Sequence, residues 1–122
     1  MPTAAIIGAS NDRGKWGNKS LRAFQQKGYT VYPINPNEAV IEGLPSYKTI
    51  REVPTRPDLV TVYVRPQVLL QMLPEIAKKG CDELWLNPGT ESEAVLAEAE
   101  RLKLNTIQAC SIIAVGVSPG SL

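Results

Sequence analysis

Short apolar runs rich in branched residues alternate along the chain with longer segments of helical period, the pattern of repeated strand-helix units around a parallel sheet. Strands are predicted at Thr3–Ile7, Thr30–Ile34, residues 59–64, Glu83–Leu86 and residues 106–109. Between the first two, residues 16–27 form a helix in which Leu21 and Phe24 share a face, and Gly28 stands where a left-handed glycine would end it. A second helix is predicted over Pro66–Lys79, stopping at Gly80, with a kink or restart at Pro74, which removes one backbone donor. The third is expected over residues 91–103. Thr90 and Glu93 there read as a capping box, and Ala94, Val95, Ala97, Ala99 and Leu102 as the buried side. Residues 33–57 break the alternation. They hold five prolines and one short helical turn near residues 49–52, and read as a shaped loop, not a packed element. An irregular segment after a second strand is where a doubly wound sheet builds one wall of a nucleotide site.

The junction between the first strand and first helix carries the clearest chemistry. It reads Gly8-Ala9-Ser10-Asn11-Asp12-Arg13-Gly14-Lys15-Trp16-Gly17-Asn18. There the chain turns tightly, backbone N–H groups point outward, and the positive end of the helix dipole favours an anion such as a pyrophosphate. Gly8 permits the turn, Ser10 can add a hydroxyl donor and Lys15 a charge.

With 122 residues, 43% of them hydrophobic and 20% charged, the chain is the size of one domain and can bury a core without staples. A net charge of +1, with no block of like charge, argues against a nucleic-acid partner. No apolar run approaches the roughly 20 residues that cross a bilayer. The opening Met-Pro-Thr-Ala-Ala-Ile-Ile-Gly lacks a signal peptide's basic region and cleavage site, so no membrane partner and a cytoplasmic location are expected. There is no histidine, which excludes histidine triads and zinc sites of the usual kind, and no metal ligand set is expected. Cys81 and Cys110 form no Cys-x-x-Cys pair and read as structural thiols.

Two familiar phosphate motifs fail against these letters. A Walker A loop has four residues between its glycines and then Lys-Ser/Thr, whereas here five intervene and Trp16 follows Lys15. A dinucleotide fingerprint places an acid at the end of the second strand to hold ribose hydroxyls. Here that strand runs into Tyr32-Pro33-Ile34-Asn35-Pro36-Asn37.

Taken together, Gly-Ala-Ser, Lys-Trp-Gly-Asn, Gly-Tyr-Thr-Val-Tyr-Pro-Ile-Asn-Pro-Asn, Ile-Glu-Gly-Leu-Pro-Ser-Tyr and Leu-Trp-Leu-Asn-Pro-Gly resemble the stand-alone CoA-binding domain family. The resemblance spans residues 4–110. Its fold is that of the N-terminal CoA-binding domain of the succinyl-CoA synthetase alpha subunit. It implies an α/β, single Rossmann-like doubly wound domain with a mainly parallel five-stranded sheet, and coenzyme A or an acyl-CoA as the ligand. It further implies that Gly8, Ala9, Ser10 and Lys15 hold the CoA pyrophosphate, with Asn35 and Pro36 as a wall. Val64, Arg65 and Pro66 match the segment lining the adenine and pantetheine side, and Asn87, Pro88 and Gly89 the loop bordering the pantetheine path. For the extra 3′-phosphate of CoA, Arg13, Lys15, Lys48 and Arg65 are the candidate cations.

The chain departs from the family near its end, where Ala109 and Ala114 flank Cys110 in place of the family's arginine and glutamate. The apolar tail, residues 110–120, is expected to end without a further helix, to cover the sheet edge, or to pair two chains into a homodimer. Three functions stand at this point: a non-catalytic CoA-binding or sensor module, an NAD(P)-type dinucleotide protein, and an enzyme on CoA thioesters using Cys110, Asp82 or Glu91. No catalytic residue is assigned, because nothing in the sequence supplies Cys110 with a base at fixed spacing.

Overall fold

Strands buried on both faces, as Thr3–Ile7 and Leu59–Val62 are, cannot leave either face to water, and the chain covers both. The structure, a computed structural model describing residues 2–122, has β1 (Thr3–Ile7), β2 (Thr30–Ile34), β5 (Leu59–Val62), β6 (Glu83–Leu86) and β7 (Thr106–Gln108) in one sheet, ordered β2-β1-β5-β6-β7. Every neighbouring pair in it is parallel. The expected Rossmann-like α/β architecture is the one observed.

Helices α1 (Trp16–Gln26), α2 (Pro66–Lys79) and α3 (Glu93–Arg101) connect the strands. Alternate strand residues sort the core into two layers. Ala5, Ile7, Val60, Val62, Leu84 and Leu86 meet Leu69, Leu73 and Ile76 of α2 and Val95 and Ala99 of α3. Ala4, Ile6 and Leu59 meet Leu21 and Phe24 of α1 on the opposite face. Gly28 follows α1 at φ +84°, the positive φ its position suggested, and α2 stops at Gly80 as expected, where φ +84° is joined to an extended ψ of 149°.

Several boundaries differ from the sequence reading, each for a local reason. Strands β5 and β7 end at Val62 and Gln108, because Tyr63 and Ala109 already turn into loops. Helix α2 runs unbroken through Pro74, which lies on its exposed side. Thr90 does not cap α3. Its hydroxyl donates to Asn87 O at 2.7 Å, and Ser92 is the cap, with its hydroxyl accepting from Val95 N at 3.1 Å. The buried stripe of α3 is Val95 and Ala99 with half-buried Leu96 and Leu102, while Ala94 and Ala97 fall off that stripe into solvent.

Residues 33–57 are packed, contrary to the loop expected from their prolines. They form a hairpin of β3 (Val40–Ile41) and β4 (Leu44–Pro45), a bridge between Ile34 and Tyr47, and a 3-10 turn at Ile50–Glu52. Ile41, Ile50 and Val53 are buried to 2% exposure or less. The tail likewise contains a short helix, α4 (Ser111–Ala114), and a 3-10 turn at Pro119–Ser121. Its Ile112 and Val117 are buried with Ala23 of α1, and Ser111 and Val115 meet the same side of the sheet, so the tail packs beside α1 and leaves Ile113 exposed. No helix among the described residues is long and apolar enough to cross a membrane.

Two substitutions check this layering in urea denaturation. Leu84→Ala, at a fully buried site in β6, costs about 2–5 kcal/mol. Ser92→Ala costs about 1 kcal/mol, the worth of an N-cap.

Candidate functional site

Because β1 leads left to β2 and the chain then crosses to β5 on the other side, loops diverge between β1 and β5, the switch point where open α/β sheets form a crevice. An open cleft of about 560 Å³ lies there. Its walls are the loops after β1 (Gly8, Ala9, Ser10, Gly14, Lys15), β2 (Asn35), β5 (Tyr63, Val64, Arg65) and β6 (Pro88, Gly89, Thr90), with Trp16 and Gly17 from the start of α1.

The glycine loop owes its shape to two close approaches. Gly8 has φ +89°, and a Cβ there would sit 2.9 Å from Tyr63 O. A Cβ on Gly17 would sit 2.0 Å from Gly8 O, so α1 can start this close to β1 only with glycine at its second position. No side chain caps α1, and its first turn holds no acid. The N–H groups of that turn are therefore free to meet an anion.

Polar side chains tie the loop together from behind. Ser10 Oγ accepts from Asp12 N at 3.0 Å, and Asp12 Oδ1 accepts from Gly14 N at 3.0 Å. Asn18, fully buried, donates to Ser10 O at 2.8 Å and to Glu42 Oε2 at 2.9 Å. Arg22 Nε donates to Asn18 Oδ1 at 2.7 Å. Arg13 pairs with Glu42 at 2.8 Å, while Lys15 and Arg65 line the cleft and join no ion pair among the described residues. Hydrogen bonding from Asn18, reinforced by the Arg13 charge against a partial burial penalty, holds the Glu42 carboxyl below the usual glutamate range.

Of the residues the sequence reading placed at the site, Gly8, Ala9, Ser10, Lys15, Asn35, Val64, Arg65, Pro88 and Gly89 come together on the cleft wall. Pro36, Pro66 and Asn87 do not line it. Pro36 joins Lys48 in a separate hollow, and Pro66 opens α2. Asn87 is a buried knot: it donates to Thr61 Oγ1 at 2.6 Å and to Val62 O at 2.8 Å, and accepts from Ser111 N at 2.9 Å and Ser111 Oγ at 3.0 Å. It shapes the turn behind Pro88 and Gly89, where Thr90 N donates to Asn87 O at 3.0 Å and Gly89 has φ +92°. Asn35 faces the cleft but its amide also holds the loop, donating to Ala9 O at 2.8 Å and accepting from Asn37 N at 2.7 Å. Sequence reasoning missed Trp16 and Tyr63 as wall residues. Trp16 is 52% exposed at the rim, a large apolar ring whose exposure no periodicity foretells. The Tyr63 hydroxyl reaches Ser111 Oγ at 3.1 Å, and burial raises its pKa.

Neither cysteine lines the cleft. Burial pushes the Cys81 thiol up to about 11, which keeps it protonated at neutral pH. No cluster of three metal-ligating side chains exists among the described residues.

Gly17→Ala would force α1 off Gly8 O, and urea denaturation should show a loss of at least about 1–3 kcal/mol. A second test uses the acid range. A carboxyl with a lowered folded pKa lends stability that is full above the ordinary glutamate value near 4.3 and is lost as pH falls through the folded value. Thermal midpoints between about pH 3 and 6 should therefore fall less steeply with acid in Glu42→Gln than in the natural protein.

The family model for the CoA binding domain matches residues 2–116. Among curated proteins, the alpha subunit of the ADP-forming acetate–CoA ligase II of Pyrococcus furiosus is 39% identical over 79 residues, 62% of this chain and 17% of that one. The ADP-forming acetate–CoA ligase of Methanocaldococcus jannaschii is 36% identical over 78 residues, 64% of this chain and 11% of that one. The chain thus spans less than a fifth of the length of these relatives. Among solved structures, a conserved hypothetical protein of Pyrococcus furiosus superposes with a TM-score of 0.86 at 34% identity, covering 93% of this chain and 99% of that one. The acetyl-coenzyme A synthetase 1 of Ca. Korarchaeum cryptofilum, solved with phosphate and ADP, gives 0.77 at 26% identity, over 88% of this chain and 25% of that one. The family match takes in every strand of the sheet and every loop of the cleft, and by it the chain belongs to the CoA-binding domain family.

Proposed function

We propose that the chain binds coenzyme A, free or acylated, in the cleft at the carboxyl ends of β1, β2, β5 and β6, and that it does so as a binding module without chemistry of its own. The observation that carries this reading is the uncapped start of α1 laid against Gly8, Ala9 and Ser10, an anion site on the wall of the cleft. The pyrophosphate of CoA sits there, over the open N–H groups, with the free ammonium of Lys15 beside it. The Ser10 hydroxyl accepts from Asp12 N, and its proton remains for a phosphate oxygen. Arg65, also unpaired, is the cation for the 3′-phosphate. Arg13 is already neutralised by Glu42, and Lys48 lies outside the cleft. Val64 and the turn at Pro88 and Gly89 give the pantetheine arm an apolar edge.

Against a nicotinamide dinucleotide stands Asn35, which occupies the place of the ribose-binding acid and has its amide engaged with the loop. Against thioester chemistry stand the positions of the candidate groups. Cys110 precedes α4 off the cleft wall, Asp82 pairs with Arg56 at the opposite end of β6, and Glu91, though it follows Thr90, does not line the cleft.

Calorimetry tests the reading. CoA should bind the nucleotide-stripped protein at about one per chain. Dephospho-CoA should bind more weakly, since it lacks the group Arg65 meets. Ser10→Ala should lose about 1 kcal/mol, roughly fivefold in Kd, and Gly8→Val should abolish binding. Absence of a saturable CoA heat in the natural protein, or unchanged affinity in both variants, would contradict the assignment.

A further inference from the structure

The β3–β4 turn carries a residue that the turn itself does not favour. Glu42 and Gly43 stand at φ +49° and +77°, a two-residue hairpin turn with both central positions left-handed. Such turns favour Asn-Gly, because asparagine tolerates the left-handed region far better than a long side chain does. Glutamate in that place is conformationally disfavoured, so its side chain must do something a turn residue does not.

What it does is reach across to the phosphate loop. One carboxylate oxygen takes Arg13 Nη1 at 2.8 Å and the other takes Asn18 Nδ2 at 2.9 Å. The same Asn18 amide holds Ser10 O, and Arg22 reaches Asn18 Oδ1 at 2.7 Å and Arg13 O at 3.2 Å. Glu42 N in turn donates to Asn11 Oδ1 at 3.0 Å, and Asn11 Nδ2 donates to Val40 O at 2.7 Å and to Glu38 Oε1 at 3.1 Å. The hairpin is therefore stitched to both ends of the loop: Glu42 joins the side chain of the loop's arginine to the helix's asparagine from the hairpin side, as Arg22 joins the same arginine's carbonyl to that asparagine from α1.

We infer that the β3–β4 hairpin braces the phosphate loop, with Glu42 as its positioning residue: its carboxylate, held by Arg13 and Asn18, keeps residues 10–18 in the curve that leaves the amides of Ser10, Trp16, Gly17 and Asn18 open to an anion. Glu42 does not line the cleft; it acts through the loop. The inference rests on the proposed CoA site for its affinity readout, but not for its readout in the free protein.

Glu42→Asn separates a brace from a mere turn. Asparagine suits the left-handed position, so the thermal midpoint at neutral pH should hold within about 3 °C of the natural protein or rise. Its shorter side chain cannot span to Arg13 and Asn18. The expected result is CoA affinity lower by about tenfold, with amide hydrogen exchange of residues 10–18 faster by fivefold or more while β5 is unchanged. Glu42→Gln, which keeps the length and loses the charge, should show the same direction at smaller size, and it stands in if Glu42→Asn does not fold. Natural protein that binds CoA together with a folded variant of equal affinity and equal loop exchange would overturn the brace. Natural protein that fails to bind CoA would overturn the proposed ligand alone, and the loop exchange then decides the brace by itself: faster in the variant upholds it, unchanged rejects it.

Discussion

The start of α1 lies directly on the carbonyl of Gly8, so close that a single methyl on Gly17 would fall 2.0 Å from that oxygen. Much of the molecule follows from this contact. It fixes the angle at which the helix leaves β1, and hence lays Leu21 and Phe24 over Ala4 and Ile6. It also turns the first-turn amides of the helix toward the mouth of the sheet, at the switch point where loops after four strands meet. Burial on one side and an open row of donors on the other are consequences of one approach distance. The glycines are the condition for it, since a Cβ on Gly17 would push helix and strand apart and one on Gly8 would strike the carbonyl of Tyr63 after β5.

An anion site built on backbone needs the backbone held still, and here side chains from outside the loop do that work. Asn35 ties the wall after β2 to Ala9, and Asn18 ties the helix to Ser10. Asn87 does the same for the turn across the cleft, linking β5, β6 and the start of α4 in one buried cluster with Thr61 and Ser111. Amides suit this task because each can donate and accept at once without a net charge to desolvate. The cations that line the cleft, Lys15 and Arg65, are left free by the same arrangement, while Arg13 is drawn back to Glu42.

How much of this could be read from the letters depended on whether a feature had a period or a fixed local signal. The parallel sheet and its helices were legible, because branched apolar runs and helical stripes repeat over many residues. The glycine turn was legible from its place between strand and helix. The hairpin at residues 40–45 was not, since strands of two residues carry no alternation and the surrounding prolines suggested a loop. Nor was α4, a single turn without an amphipathic stripe. The cap of α3 was misplaced by two residues, because Thr90 and Ser92 offer the same hydroxyl and only the turn at Pro88 and Gly89 decides which one is used. At the site, Asn87 looked like a ligand contact by its motif. Its environment makes it a support, a distinction that rests on contacts between β6 and the tail, distant in sequence.

In the proposed site the open amides of Ser10, Trp16, Gly17 and Asn18 meet the pyrophosphate of CoA. Amide chemical shifts recorded during a CoA titration of the isotopically labelled protein address this contact residue by residue. The largest shifts should fall on the backbone amides of Ser10, Trp16, Gly17 and Asn18, with a second group at Arg65 and Gly89. Residues 103–108, on the far edge of the sheet, should stay in place. Shifts concentrated on that edge or on the α2 surface, with the glycine loop unmoved at saturating CoA, would contradict the proposed site.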